Sequence, residues 1–163
     1  MLQQSATADN TEKNGDNIQL LILALGLGGT LFYEDDYQGS IQFIQSFASS
    51  QIITEGLKLV VEKERPNGNC CNSFPSGHAS KAFMGASFIH KRYGLNFGIP
   101  AYFGASYVAY SRVYADKHYV EDVLAGAIIG VVSSFYFTTR YKNLDIIPVV
   151  YNGTYGINFS KKW

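Results

Sequence analysis

The spacing of apolar positions along the chain predicts five helices. Ile18 to Tyr33 is apolar with several glycines. From Gln42 to Glu64, the residues Phe43, Ile44, Phe47, Ile52, Ile53, Leu57, Val60 and Val61 recur at helical spacing. Arg65-Pro66 ends that segment, because the residue before a proline avoids helical geometry. Asn67 to Ser73 reads as a loop. Further helices are expected over Gly77 to Arg92, Ile99 to Val113 and Val120 to Tyr141. The tail from Ile146 to Trp163 differs in kind: β-rich residues flank Asn152-Gly153, the favoured two-residue hairpin turn, where both positions need positive φ. A lone hairpin is marginal in water, so it is expected to dock on the helices. The fold expectation is all-α, a helical bundle of about five core helices with a short C-terminal β-hairpin. Residues 1–16 form a polar lead expected to be disordered, 17–143 the helical domain, and 144–163 the hairpin tail.

The 163 residues suffice for one domain. Charged residues are only 16% of the chain, against about 25% in a typical soluble protein, and formal net charge is zero. No global field therefore draws the chain to nucleic acid, and any basic character that matters is local. Asn17–Tyr33 and Val123–Thr139 carry no charge and approach the length of about 20 residues needed to span a bilayer. Gln19, Ser133, Ser134 and Thr138 dilute them, and the second segment carries Gln42, Gln45, Gln51, Glu55 and Lys58. Read as patterning alone, this favours a water-soluble bundle over an inserted one. The lead has neither the basic start nor the apolar run of a secretory signal. Cys70 and Cys71 are adjacent, a spacing at which a disulfide is strained, and no Cys/His set is spaced for zinc.

Three clusters carry candidate chemistry. Lys58 and Arg65 are seven residues apart, two turns of a helix, so a continuous helix points both cations one way. Alone, such a pair reads as a solvated face. Pro75-Ser76-Gly77-His78 opens a helix: glycine allows close backbone approach, and a helix N-terminus presents unpaired N–H groups to an anion. Ser111-Arg112, His118 and Asp122 form the third cluster. On a helix His118 and Asp122 share a face, and a carboxylate on one ring nitrogen leaves the other free to attack. In isolation this is an ordinary pair four residues apart.

Taken in order and spacing, Lys58 with Arg65-Pro66, then Pro75-Ser76-Gly77-His78, then Ser111-Arg112 with His118 and Asp122 resemble the complete three-part signature of the type 2 phosphatidic acid phosphatase superfamily. The resemblance implies a phosphatase acting on a phosphomonoester or pyrophosphate without a metal ion or other cofactor. It implies that Lys58, Arg65 and Arg112 clamp the phosphoryl oxygens, with Ser76 and the Gly77 N–H completing the cradle. By the same resemblance His118 attacks phosphorus to give a phosphohistidine, Asp122 orients His118, and His78 protonates the leaving oxygen and then activates water. Arginine suits the clamp because its planar fork matches phosphate, and phosphoryl transfer depends mainly on positioning and charge neutralisation. The implied partner is a phosphorylated lipid or a small phosphoester, with peripheral membrane contact. The implied location is the periplasm or envelope, with the inner membrane as the alternative. A vanadate-dependent haloperoxidase and a non-catalytic phosphate-binding envelope protein are the competing readings. His90 matches none of the three clusters.

Overall fold

The structure is a computed structural model that describes residues 2–69, 71–141, 144–151 and 154–161. Five helices form the domain: α1 (Leu2–Phe32), α2 (Gln38–Val61), α3 (Gly77–Tyr93), α4 (Leu95–Tyr114) and α5 (Val120–Phe137). Helix α3 is the central element, packed against each of the other four and most extensively against α5 and α4. Beyond the helices, β1 (Leu144–Tyr151) and β2 (Thr154–Lys161) pair antiparallel, with Tyr151 opposite Thr154. The Asn152-Gly153 turn lies outside the described residues.

Two expected boundaries move for local reasons. The lead expected to be disordered is the first half of α1. No proline interrupts residues 2–32, and Glu12 and Asp16 find cationic partners on other elements. Helix α2 stops at Val61 rather than near Glu64, because Glu62 adopts a left-handed conformation with φ of 38° and caps it. Arg65 therefore sits in the loop beyond the helix, and it does not share a helical face with Lys58. A tight turn follows, in which Gly68 donates to the Arg65 carbonyl at 2.9 Å with φ of 78°, a region that favours glycine. Cys71 is disulfide-bonded; Cys70, to which the expectation of a strained adjacent pair also refers, lies outside the described residues.

The interior is made of small and hydroxyl-bearing residues. Ala79, Ser80, Ala82, Ala86 and Ser87 of α3 are fully buried, joined by Met84 and Phe88. Helix α5 reaches α3 through Gly126 and Gly130: a methyl at position 130 would lie 2.7 Å from the backbone nitrogen of Met84. On α2 the buried side chains are Ser40, Phe43, Ser46, Ser50 and Thr54, and the Thr54 hydroxyl donates to Ser80 at 3.0 Å. Ile22, Phe43, Ile89 and Val108 complete the core, but many large apolar side chains point outward. Leu124, Ile128, Val132 and Tyr136 form one exposed stripe down α5, four residues apart, while Ile44, Ile52, Leu59 and Val60 stand out from α2, Leu21, Leu25 and Phe32 from α1, and Phe103 from α4. A contiguous exposed apolar surface marks a site of contact with a membrane or with another protein. The patterning that favoured a water-soluble bundle does not anticipate these outward-facing apolar side chains. The polar residues that dilute the apolar segments face the interior, which periodicity within one segment did not reveal. Close helix contact through small residues and hydroxyls is the packing mode of helices in lipid, and α1 and α5 are each long and apolar enough to cross a bilayer.

At one end of the bundle a polar cluster holds the chain together. Arg92 donates to Glu34 through Nε at 2.8 Å and Nη2 at 2.5 Å, and the Tyr93 hydroxyl adds a bond to the same carboxylate at 2.9 Å. Both members of the ion pair are buried. The opposite end gathers the C-termini of α2 and α4, the N-termini of α3 and α5, and the acidic part of α1.

Candidate active site

All the sequence-derived candidates lie at that second end. Two loops, 62–76 and 115–119, are laced to each other and to the helix ends by backbone bonds: Ser73 N–H to the Lys63 carbonyl at 2.9 Å, Asn67 N–H to Asp116 at 3.1 Å, and Ser76 N–H to Asp122 at 2.9 Å. Lys117 and His118 both donate to the Arg112 carbonyl, which returns the chain sharply after α4. The lacing brings the three separated clusters together.

Ser76 caps α3, its Oγ accepting from the Ala79 N–H at 3.4 Å. His78 lies in the first turn of α3. Lys58 packs against Gly77, such that a methyl there would sit 3.3 Å from the ammonium; the ammonium also pairs with Glu55 at 2.8 Å. Arg112 closes α4 and is almost wholly buried. Its guanidinium is already engaged: Nη2 donates to the Glu12 carbonyl at 2.6 Å and lies 3.1 Å from Asp16 Oδ1, while Nη1 lies 3.4 Å from Glu12 Oε1. Asp16 also reaches His78 Nε2 at 3.2 Å, and Glu12 reaches Lys117 at 3.3 Å. Two carboxylates of α1 thus stand among the cations to which the resemblance assigns phosphate.

His118 is buried, and its environment differs from the expected one. It does not lie on a helix with Asp122: Tyr119 is the N-cap of α5, and Asp122 is in the first turn. His118 Nδ1 is 2.7 Å from the Ser73 carbonyl oxygen but 3.8 Å from Asp122 Oδ2. A carbonyl only accepts, so Nδ1 carries the proton and Nε2 keeps its lone pair. The direct His118–Asp122 hydrogen bond expected from the spacing is absent, because 3.8 Å is beyond hydrogen-bond length. Asp122 Oδ2 instead accepts from the Ser73 hydroxyl at 2.5 Å and the Tyr119 N–H at 3.0 Å, and Oδ1 accepts from Lys63 at 2.7 Å.

The electrostatics favour a neutral imidazole. Burial pushes His118 down to about 4; the Ser73 carbonyl and Asp122 oppose this, and the charges of Arg65 and Lys58 reinforce it. Lys63 moves the other way. Partial burial would lower it, but its bonds to Asp122 and Glu121 raise it above the usual ammonium range. Chemically the arrangement offers an unprotonated imidazole nitrogen, cations close by, and a second imidazole.

Sequence reasoning missed Ser73, Lys63, Glu12 and Asp16. Ser73 lies two residues before Pro75 in a segment that reads as loop, Lys63 reads as one charge of a solvated Glu62-Lys63-Glu64 run, and the two acids fall in the polar lead. Among the described residues no group of His, Cys, Asp and Glu is arranged to hold a metal ion.

Comparison with known proteins gives concordant matches. The PAP2 superfamily profile matches residues 67–145. The lipid A 4'-phosphatase of Helicobacter pylori is 30% identical over 170 residues, an alignment covering 93% of this chain and 85% of that protein. The crystal structure of Aquifex aeolicus LpxE superposes with a TM-score of 0.66 at 21% identity, covering 81% of this chain and 83% of that one. The transmembrane PAP2-type phosphatidylglycerolphosphate phosphatase of Bacillus subtilis gives 0.60 at 24%, covering 83% and 82%.

Proposed function

The chain belongs to the PAP2 superfamily and is a phosphoric monoester hydrolase of the lipid phosphatase kind; on that premise we propose that it removes a phosphate from an acylated glycan of the lipid A class through a phosphohistidine on His118. The observation that carries this reading is the His118 imidazole itself, buried, proton-bearing on Nδ1 toward Ser73 and unprotonated on Nε2, beside Lys58 and Arg65. In this mechanism Lys58, Arg65 and Arg112 hold the phosphoryl oxygens, with Ser76 and the Gly77 N–H. Nε2 of His118 forms the bond to phosphorus, and His78 gives a proton to the leaving oxygen from its imidazolium form; burial and the Arg112 charge hold His78 down to about 4 before substrate binds, and the phosphoryl anion favours the protonated ring. Water activated by His78 then releases phosphate. Fixed cations supply the neutralisation that phosphoryl transfer requires.

The lipid character of the substrate is supported by the outward apolar stripes on α1, α2, α4 and α5, which run to the end of the bundle that carries the candidate site. We propose that these helices are inserted in the inner membrane, with the catalytic end at the periplasmic surface. The substrate's acyl chains would then stay in the bilayer while its phosphate enters from the side. An alkaline carbonate wash is expected to leave the protein in the membrane pellet; release into the supernatant overturns the insertion.

The function itself is tested with detergent-extracted protein and a bis-phosphorylated lipid A carrying radiolabelled phosphate. His118→Ala is expected to lose release by at least about 10³-fold, and a rapid quench of wild type is expected to show an acid-labile, alkali-stable phosphoryl label that the variant lacks. Near-wild-type release from His118→Ala refutes the mechanism.

A further inference from the structure

A phosphohistidine has to carry a positive charge on its imidazole, and a carboxylate is the usual counterweight. Here that carboxylate, Asp122, is held 3.8 Å from His118 Nδ1 by other partners. One residue touches both. The Ser73 carbonyl accepts a hydrogen bond from His118 Nδ1–H at 2.7 Å, and the Ser73 hydroxyl donates to Asp122 Oδ2 at 2.5 Å. Ser73 is fully buried, and its own N–H is anchored on the Lys63 carbonyl at 2.9 Å. The Lys63 ammonium returns to the other oxygen of Asp122 at 2.7 Å. Backbone and side chains of Ser73 and Lys63 thus form a closed frame around a carboxylate that has no exposed surface.

We infer that Ser73 is a positioning residue through which Asp122 acts on His118, its carbonyl fixing the imidazole and its hydroxyl fixing the carboxylate. This rests on the reading of His118 as nucleophile. During attack the Nε2 lone pair forms the N–P bond and the P–O bond to the leaving group breaks, with the leaving oxygen taking its proton from His78. The Nδ1 proton stays on Nδ1, donated to the Ser73 carbonyl throughout. The charge that develops on the ring is met through space by Asp122, whose distance is set by the Ser73 hydroxyl. Lys63 holds the far oxygen and keeps the carboxylate from swinging away.

The test is a mutant cycle on the detergent-extracted full chain. Ser73→Ala keeps the carbonyl and removes the hydroxyl. It is expected to lower the rate of phosphoenzyme formation about 10–100-fold, the usual cost of losing an outer-shell partner, with inhibition by orthovanadate unchanged. Ser73→Thr, which keeps the hydroxyl, is expected to recover most of that rate. In an Asp122→Asn background, Ser73→Ala is expected to cost less than about threefold, because its effect passes through the carboxylate. Ser73→Cys fills the same space with a far weaker donor and reads the same way should the alanine variant not fold. A full-sized loss in the Asp122→Asn background, or an undiminished rate in both Ser73→Ala and Ser73→Cys, overturns the inference. Failure of the underlying reading looks different: no label on wild-type His118, whatever residue 73 is.

Discussion

The acidic contacts on Arg112 make a quantitative prediction about ligand affinity. A guanidinium that is to hold phosphate is held by Asp16 at 3.1 Å and Glu12 at 3.4 Å, so a phosphoryl group has to displace both carboxylates. Opposite charges about 4 Å apart attract by about 4 kcal/mol at an effective dielectric of about 20. Solvent reduces this, because the Glu12 side chain is 23% exposed and that of Asp16 is 44% exposed. A fully exposed pair contributes at most about 1 kcal/mol, and a hydrogen bond to a buried charged group about 1.5–3 kcal/mol. Arg112 itself is 2% exposed, which puts each contact between these limits, at about 1–2 kcal/mol.

Glu12→Gln is the cleaner variant, since it touches Arg112 and Lys117 but leaves the His78–Asp16 contact intact. The Glu12 backbone carbonyl keeps its 2.6 Å bond to Arg112, so α1 stays docked. The inhibition constant for orthovanadate and the KM for substrate are expected to fall about 5–30-fold, at 1.4 kcal/mol per factor of ten. Adding Asp16→Asn is expected to tighten vanadate binding further. The assay is steady-state inhibition in detergent micelles at fixed ionic strength. Vanadate binding to Glu12→Gln that is equal to or weaker than wild type refutes the reasoning, and would make the carboxylate part of the cradle rather than a competitor for it.

Two further outcomes follow from charge and burial. With His118 pushed down to about 4, the acid limb of kcat/KM is expected near pH 4 rather than 6.5, once the ionisation of the substrate monoester, about 6, is divided out; a limb at 6.5 contradicts the burial. The same depression makes the neutral ring a stabilising feature above the unfolded value of about 6.5, lost as pH falls toward 4 because only the unfolded chain takes up the proton. The loss is expected to be about 3 kcal/mol, read as a falling thermal midpoint in detergent that is less steep in His118→Ala. At the other end of the bundle, Glu34→Ala strands the buried Arg92 guanidinium and is expected to cost about 3–5 kcal/mol, measured by thermal unfolding; a midpoint within about 2 °C of wild type contradicts it.

The chemistry of the site was more legible than its geometry. Residue type and order, through their resemblance to the family signature, nominate His118, His78, Arg112 and the Ser76-Gly77 turn, and the fold gathers them at one end of the bundle. The spatial relations were inferred from helical periodicity, and that inference failed wherever the helix had already ended. Lys58 and Arg65 were aligned on a helix that Glu62 terminates, and His118 and Asp122 on one that starts after His118. Ser73 and Lys63 were invisible for a related reason: a serine in a loop and a lysine among glutamates have no periodic signature, and their importance comes only from the backbone lacing of two loops.

The inverted distribution of polarity explains why helix existence could be read from the sequence while helix environment could not. Periodicity identifies that a helix has two unlike faces, without saying which face meets solvent. On α5 the face carrying Gly126, Gly130, Ser133 and Ser134 is inward, and the face carrying Leu124, Ile128 and Val132 is outward. Water would reverse that choice, because burying the aliphatic face is the main driving force there. The proposed insertion accounts for the arrangement, since lipid would remove that driving force and leave close packing and hydroxyl bonding, such as Gly130 against Met84 and Thr54 against Ser80, to select the interior. The same logic explains the charges. With aliphatic side chains directed outward along the helices, Arg112, His118, Asp122 and Lys63 cluster where helices end and loops can bond them, and on the proposed insertion that candidate end is also where the backbone would leave the bilayer.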